Sequence, residues 1–184
     1  AGLFGKTIGI LGIGAIGSQT AAVAHAYGMK VLGLNRSGAV SSNVDKMYRT
    51  DQLHELLPQC DYVVNILPLT TETRHILAKT EFELMKDDAI YVNVGRGGTN
   101  DTSALISALE NGKLAAAGLD VFEIEPLPSD DPLWQMEQVM ITAHNAGMTR
   151  DYVNRVMDIL TANIADYLQT GIPGHNLVDL DREY

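Results

Sequence analysis

The stretch Thr7-Ile8-Gly9-Ile10-Leu11-Gly12-Ile13-Gly14-Ala15-Ile16-Gly17 joins a short apolar run to the pattern G-x-G-x-x-G, and an Ala-rich helical pattern follows at 18–27. In a βαβ unit the first glycine makes a tight turn, the second lets the backbone approach a pyrophosphate, and the third lets helix pack on strand. The N–H groups at the start of the helix face the phosphates. Ordinary turns also contain glycines at these spacings, but the position between a strand and a helix favours a dinucleotide site. The residues expected to contact the dinucleotide here are Gly12, Gly14, Ala15, Ile16 and Gly17.

The composition is that of a globular chain with a net negative charge. The 184 residues include 46% hydrophobic and 20% charged residues, and the formal net charge is −10 at pH 7. This length suits one well-buried domain. The negative charge argues against a nucleic-acid surface, and no apolar run reaches the roughly 20 residues that span a bilayer. Since a signal-peptide pattern is also lacking, we expect a cytoplasmic protein without membrane contact.

Cys60 is the only cysteine in the sequence. A single cysteine excludes an internal disulfide and a Cys-based zinc cluster. We expect no metal site, and we expect the thiol to pack as a small hydrophobic group.

Short apolar runs alternate with helical patterns along the chain. Strands are predicted at 7–11, 30–34, 61–67, 89–94, 114–119 and 138–142, and further helices at 51–57, 80–86, 102–110 and 149–168. This alternation predicts an α/β fold with a parallel, doubly wound sheet. Pro58 is expected to end the second helix, and Thr80 to cap the third with Glu83 in the capping-box position. Core or dimer packing explains the apolar stripe of the last helix.

The segment Asn35-Arg36-Ser37 directly follows the second predicted strand. Dinucleotide folds that prefer NAD place an acidic residue here, which hydrogen-bonds the adenosine ribose. A carboxylate repels a 2′-phosphate, whereas a guanidinium and a hydroxyl bind one, so this sequence favours NADP over NAD. The alternative is an ordinary polar turn.

Four polar residues lie at, or just after, the carboxyl ends of different predicted strands: Arg96, Asp120, Glu125 and His144. A histidine can donate and accept a proton near neutral pH, and Glu125 is its candidate carboxylate partner. Arg96, between glycines, can hold a carboxylate through two hydrogen bonds and polarise a neighbouring carbonyl. Each residue alone has a structural explanation as a loop cation, cap, solvated acid or loop histidine. Their convergence on one edge of the sheet favours catalysis.

Together these motifs resemble the D-isomer-specific 2-hydroxyacid dehydrogenases over nearly the whole chain. The resemblance implies a Rossmann dinucleotide-binding domain, NADP or NAD as cofactor, and a 2-oxo or R-2-hydroxy acid as substrate. The segments that carry it, in the family's order, are 5–17, Leu67-Pro68-Leu69-Thr70 with Thr73, 93–98, 118–122 with Glu125-Pro126, and Thr142-Ala143-His144 with Gly147.

The resemblance also implies a role for each candidate residue. His144 would protonate the ketone oxygen as hydride arrives from the nicotinamide, Glu125 would pair with its imidazole, and Arg96 would hold the substrate's carboxylate and carbonyl. Asp120 would bind the nicotinamide carboxamide. Formate dehydrogenases of this superfamily carry glutamine at the position of Glu125, so the glutamate distinguishes this chain from them. Further residues expected to line the cofactor are Leu67, Pro68, Thr73, Val94, Gly95 and Gly147.

Three features depart from the family pattern. Ala143 stands where the family usually has proline, and Asn35-Arg36-Ser37 replaces the common acidic residue. The chain also begins at the family's central glycine motif, without the amino-terminal segment that makes most of the substrate domain. We therefore expect a dinucleotide-binding domain at 1–174, a tail at 175–184 that would return to the substrate domain, and little activity from this piece alone.

Two alternatives to an enzyme stay open. One is a dinucleotide-sensing binding protein that resembles the C-terminal-binding corepressors, and turnover of 2-oxo acids would separate it from a dehydrogenase. The other is a dimerisation module, since family members commonly pair through this domain. On the same likeness we expect a homodimer.

Overall fold

Within residues 2–181 and 183, which this computed structural model describes, seven parallel strands form one sheet. The strand order is β3-β2-β1-β4-β5-β6-β7, so the order reverses between β1 and β4. The predicted parallel α/β sheet is confirmed. The strands are β1 (Thr7–Leu11), β2 (Lys30–Leu34), β3 (Lys46–Tyr48), β4 (Tyr62–Asn65), β5 (Ala89–Asn93), β6 (Leu114–Leu119) and β7 (Val139–Ile141).

The helices of the first compact unit, Ala1–Ala143, pack on both faces of this sheet. They are α1 (Ala15–Ala26), α2 (Leu53–Leu56), α3 (Lys79–Leu84) and α4 (Thr102–Glu110). Ala21 and Ala24 of α1 join Ile8, Ile10 and Val31 in one apolar cluster. The larger cluster on the opposite face contains apolar residues of the other three helices, which makes the sheet doubly wound. These residues include Leu53, Leu56, Phe82, Leu105 and Leu109.

The register aligns the carboxyl ends of the strands in one row. Leu11 pairs with Leu34 on one side and with Asn65 on the other. The row continues from Asn65 to Asn93 and then to the ends of β6 and β7. The loops that follow β1, β2, β4, β5, β6 and β7 therefore all leave from the same edge, where open α/β sheets bind their ligands.

Two local predictions differ from the structure. The helix predicted at 51–57 is an α-helical turn, α2, between two 3-10 turns, and the second of these, Leu57–Gln59, contains Pro58. Proline fits the start of a turn because no hydrogen bond is needed from its nitrogen. The cap predicted at Thr80 and Glu83 is wrong, because the carboxylate of Glu81 accepts a hydrogen bond from the Ala78 N–H at 3.0 Å.

The second compact unit, His144–Tyr184, contains helix α5 (Tyr152–Thr170). Gly171 ends the helix in the left-handed region, with φ of 78°. None of the described residues of α5 is buried, and core or dimer packing of its apolar stripe stays a prediction. Arg182 and Tyr184 of the expected tail lie outside the described residues. No helix in the described part of the chain is long and apolar enough to cross a membrane.

Candidate functional site

The glycine loop between β1 and α1 has the turn and the close packing that its sequence predicts. Gly12 has a φ of 102°, which favours glycine. A Cβ at Gly17 would overlap the carbonyl oxygen of Gly12, so helix and strand approach each other only because this residue lacks a side chain. At Gly14, by contrast, no described atom beyond its two chain neighbours lies within 4 Å of a Cβ position. The space beside Gly14 is therefore open to a ligand.

The amino end of α1 offers donors to an anion. Gly14 is the N-cap and provides no side-chain hydrogen bond to the first turn, which also contains no acidic residue. Gly14, Ala15 and Ile16 are exposed. A helix amino end with exposed N–H groups and a positive dipole end suits a phosphate, so the residues present fit a dinucleotide pyrophosphate.

In the turn after β2, Asn35 and the exposed Ser37 form hydrogen bonds within the turn, and Arg36 is exposed. Asn35 accepts a hydrogen bond from the Gly38 N–H at 2.6 Å and donates one to the Ala39 carbonyl at 3.1 Å. Its side chain therefore closes the turn, as the ordinary-turn alternative predicts. Arg36 and Ser37 are exposed at the same edge of the sheet. A site for a 2′-phosphate at this turn depends on these two residues.

The loops after β4 and β5 contact each other through their backbones. A Cβ at Gly95 would lie 2.6 Å from the Leu67 carbonyl oxygen and 2.9 Å from its nitrogen. Leu67 and Gly95 are buried, whereas Pro68 and Val94 are partly exposed. Thr73 closes the first of these loops, since its hydroxyl donates to the Pro68 carbonyl at 2.6 Å. Thr73 thus shapes the loop that the sequence assigns to the cofactor.

Arg96 is an exposed residue on a buried turn. Gly95 and Gly97 on either side are buried, and the guanidinium donates to the Gly95 carbonyl at 2.8 Å. A Cβ at Gly97 would overlap the backbone of Phe122. The turn after β5 (94–99), which we call the Arg96 turn, therefore packs directly on the loop after β6, which carries Glu125.

The two acidic candidates of the first unit have different surroundings. Asp120 is buried, with 4% of its surface exposed, and accepts a hydrogen bond from the Thr142 hydroxyl at 2.6 Å. This bond joins the ends of β6 and β7. Glu125 is exposed, and its carboxylate accepts a hydrogen bond from the Phe122 N–H at 2.9 Å. The position of the Glu125 carboxylate is thus fixed by its own loop.

Glu123, which the sequence patterns do not single out, ties three segments together. Its carboxylate lies 2.6 Å from Nε2 of His75 and accepts a hydrogen bond from the Thr102 N–H at 2.8 Å. Burial favours the neutral acid, but the hydrogen bonds from Thr102 and His75 outweigh it and hold the pKa of Glu123 below its ordinary value. No spacing rule finds such a contact, because His75 and Glu123 are distant in the sequence.

His144 and Gly147 belong to the second unit and follow the end of β7 along the chain. Both are exposed, and His144 has a φ of 50°, in the left-handed region. The pairing of His144 with Glu125 and the contribution of Gly147 to the cofactor site stay predictions. Among the residues that the structure describes, no group of three or more His, Cys, Asp or Glu side chains could hold a metal ion.

The first unit therefore brings Asp120 and four connecting segments to one edge of one sheet. These segments are the glycine loop (12–17), the turn after β2 (35–39, the Arg36 turn), the loop after β4 (66–73, the Leu67 loop) and the Arg96 turn after β5. A doubly wound sheet with G-x-G-x-x-G at its switch point defines a dinucleotide-binding domain of the Rossmann class. Residues 1–146 match the family described as D-isomer specific 2-hydroxyacid dehydrogenase, NAD binding domain. The chain belongs to this family, which confirms the resemblance.

Known proteins similar to the chain include reductases and dehydrogenases. Glyoxylate reductase of Aeropyrum pernix is 42% identical over 179 residues, which are 96% of this chain and 52% of that protein. A D-isomer specific 2-hydroxyacid dehydrogenase of Xanthobacter autotrophicus Py2, solved with NADPH and MES, has a TM-score of 0.90 at 34% identity and covers 97% of this chain and 73% of its own. An NADPH-dependent glyoxylate/hydroxypyruvate reductase of Sinorhizobium meliloti, solved with NADP and sulfate, has a TM-score of 0.89 at 33% identity. The match covers 97% of this chain and 57% of the reductase chain. The chain spans about half the length of the curated relatives it matches.

Proposed function

We propose that the chain is the dinucleotide-binding part of an oxidoreductase that reduces a small 2-oxo acid to an R-2-hydroxy acid. The observation that carries this proposal is the common edge of the sheet, where the glycine loop follows β1 and the Arg96 turn follows β5, on either side of β4. Bound NADPH or NADH supplies the hydride. The chain's own residues hold the dinucleotide, orient the acid and deliver the proton.

NADP is the favoured cofactor. The turn after β2 presents Arg36 and Ser37 and contains no carboxylate that would repel a 2′-phosphate. Two solved neighbours were crystallised with NADPH or NADP, which agrees with this preference. The other cofactor contacts in the proposal are those that the sequence assigns to the Leu67 loop, to Asp120 and to Gly147.

Three residues perform the proposed chemistry. Arg96 holds the carboxylate of the 2-oxo acid through a two-point contact and stabilises negative charge that develops on the carbonyl oxygen. His144 gives a proton to that oxygen, and the carboxylate of Glu125 orients the imidazole. Glyoxylate and hydroxypyruvate are the substrates to test first, because they appear in the names of the similar reductases. A homodimer and a cytoplasmic location stay predictions.

The test is oxidation of NADPH in the presence of glyoxylate or hydroxypyruvate by the polypeptide that contains this chain. We expect His144→Ala to lower kcat by about 10²–10⁴, the usual contribution of a general acid, while Kd for NADPH stays within about twofold. His25→Ala is the control, since His25 is exposed on α1. NADPH binding without turnover of any 2-oxo acid would favour a dinucleotide-sensing protein instead, and an unchanged rate in His144→Ala would exclude this histidine as the proton donor.

A further inference from the structure

A cluster of buried polar side chains lies beneath the Leu67 loop and the Arg96 turn. We call it the polar cluster, and each of its members is at most 4% exposed. Burial of polar groups is unfavourable unless they are hydrogen-bonded. Among the described residues, no buried side-chain nitrogen or oxygen lacks a partner. The members are Asn65, Tyr91, Asn93, Thr99 and Asn100.

The hydroxyl of Tyr91 joins the two strand ends within this cluster. It accepts a hydrogen bond from Asn65 at 3.1 Å and donates one to Asn100 at 3.1 Å. Asn100 in turn accepts from Asn93 at 2.8 Å. Asn65 ends β4 and Asn93 ends β5, so the hydroxyl connects the exits of neighbouring strands. Asn65 also donates to Thr99 at 2.7 Å, which is a second connection.

The cluster holds the backbone of both loops above it. Asn65 accepts a hydrogen bond from the Leu67 N–H at 3.1 Å, and Asn93 accepts one from the Gly95 N–H at 3.0 Å. The carbonyl of Arg96 accepts from the Thr99 hydroxyl at 2.6 Å. The position of the exposed Arg96 side chain is therefore set by a turn that is fixed from below.

Packing alone does not require the Tyr91 hydroxyl. The ring of Tyr91 meets Phe82 edge to face, with centroids 5.4 Å apart, and phenylalanine could make the same contact. Burial raises the pKa of the hydroxyl, so the group keeps its proton for Asn100. What the hydroxyl adds is a hydrogen-bonded connection between the two strand ends, beside the bond from Asn65 to Thr99.

We propose that Tyr91 is a positioning residue for Arg96. Together with Asn65 and Asn100 it fixes the Arg96 turn relative to the Leu67 loop. The guanidinium is thereby placed within reach of the carboxylate of a 2-oxo acid that lies beside the bound dinucleotide. This inference rests on the proposed function. It assigns to a wholly buried hydroxyl an effect on the binding of the acid at Arg96.

The test compares Tyr91→Phe with Tyr48→Phe in the polypeptide that contains this chain. Tyr48 is equally buried, and its hydroxyl accepts a hydrogen bond from Gln59 at 2.8 Å in the edge strand β3, so the variant is a matched control. Tyr91→Phe leaves Asn65 bonded to Thr99 and Asn100 bonded to Asn93, which favours a folded variant. We expect KM for glyoxylate to rise about tenfold in Tyr91→Phe, as misplacement of a binding group predicts, with a smaller rise in Kd for NADPH and with wild-type values in Tyr48→Phe.

Amide hydrogen exchange provides a second readout that needs no turnover. We expect the Leu67 and Gly95 amides to exchange about tenfold faster in Tyr91→Phe than in Tyr48→Phe. Equal exchange in the two variants would overturn the positioning role. Faster exchange with an unchanged KM would overturn its effect on the acid, and the absence of any turnover by the unchanged protein would refute the proposed function alone.

Discussion

Alanine substitutions at Gly17 and Gly14 should affect different properties. The first should lower the stability of the fold, and the second should weaken cofactor binding. A Cβ at Gly17 would overlap the Gly12 carbonyl oxygen and would lie 3.1 Å from its carbon and 3.5 Å from Cγ2 of Ile10. The nearest obstacle is backbone and cannot rotate away, so the turn itself must move. Overpacking of a core costs about 1–3 kcal/mol, and we place Gly17→Ala at about 3 kcal/mol. For a chain of this size that lowers Tm by about 6–12 °C.

Gly14→Ala should have the opposite profile. No described atom beyond its two chain neighbours lies within 4 Å of its Cβ position, and φ of −106° with ψ of −151° is extended backbone that alanine adopts. The free energy of unfolding should therefore change by less than about 1 kcal/mol. The methyl group, however, fills the space through which a pyrophosphate approaches the backbone. Loss of one charged hydrogen bond of about 1.5–3 kcal/mol raises Kd for NADPH roughly 10- to 100-fold.

Thermal unfolding without nucleotide, followed by circular dichroism, and calorimetric titration with NADPH measure the two effects separately. Wild-type affinity of Gly14→Ala for NADPH would contradict the approach of a pyrophosphate at Gly14, and a loss of stability as large as that of Gly17→Ala would contradict the open space beside it. A Gly17→Ala variant with an unchanged Tm would contradict the close packing of helix and strand.

Three further predictions concern the body of the first unit. A Cβ at Gly9 would lie 2.5 Å from Sγ of Cys60, so Gly9→Ala should lower the free energy of unfolding in urea by about 1–3 kcal/mol; an unchanged midpoint would contradict this. Burial raises the pKa of Cys60 to about 12, so iodoacetamide at pH 8 should modify it only after denaturation, and rapid modification of the native chain would disprove its burial. Burial favours the neutral form of Asp61, but hydrogen bonds from Thr7 and Lys86 outweigh it and lower its pKa from 3.8. The charged form therefore adds stability above pH 3.8 that is lost as the pH falls below it; Asp61→Asn should cost about 1 kcal/mol at pH 7 and little at low pH, and an equal cost at both would contradict this assignment.

The strands were predictable where an apolar run stands between clear turn signals. The observed bounds of β1, β2 and β6 match the predicted ones because a glycine turn or a polar turn follows each run. Strand β3 was not predicted, since it has three residues and only Tyr48 in it is buried. The start of α3 could not be predicted from its N-cap residue, because alanine has no side-chain oxygen that could cap a helix. The Ala78 N–H instead donates a hydrogen bond to the Glu81 carboxylate.

The candidate site was predictable only as far as strand ends place residues. Arg96 and Asp120 follow β5 and β6 directly, so parallel strands bring them to one edge. The polar cluster could not be found in this way, because the contact between Tyr91 and Asn65 depends on the register of β4 and β5. The hydrogen bond between the Asn35 side chain and the Gly38 N–H likewise depends on backbone geometry, which the position of Asn35 after a strand does not reveal.

Calorimetric titration of this chain with NADPH and, separately, with NADH measures whether the glycine loop binds a dinucleotide and whether Arg36 confers a preference for NADPH. We expect both dinucleotides to bind at the edge that carries the glycine loop and NADPH to bind at least about tenfold more tightly, since one charged contact is worth about 1.5–3 kcal/mol. Arg36→Ala should remove this difference by weakening NADPH alone. Failure of the unchanged chain to bind either dinucleotide would contradict the assignment of the glycine loop.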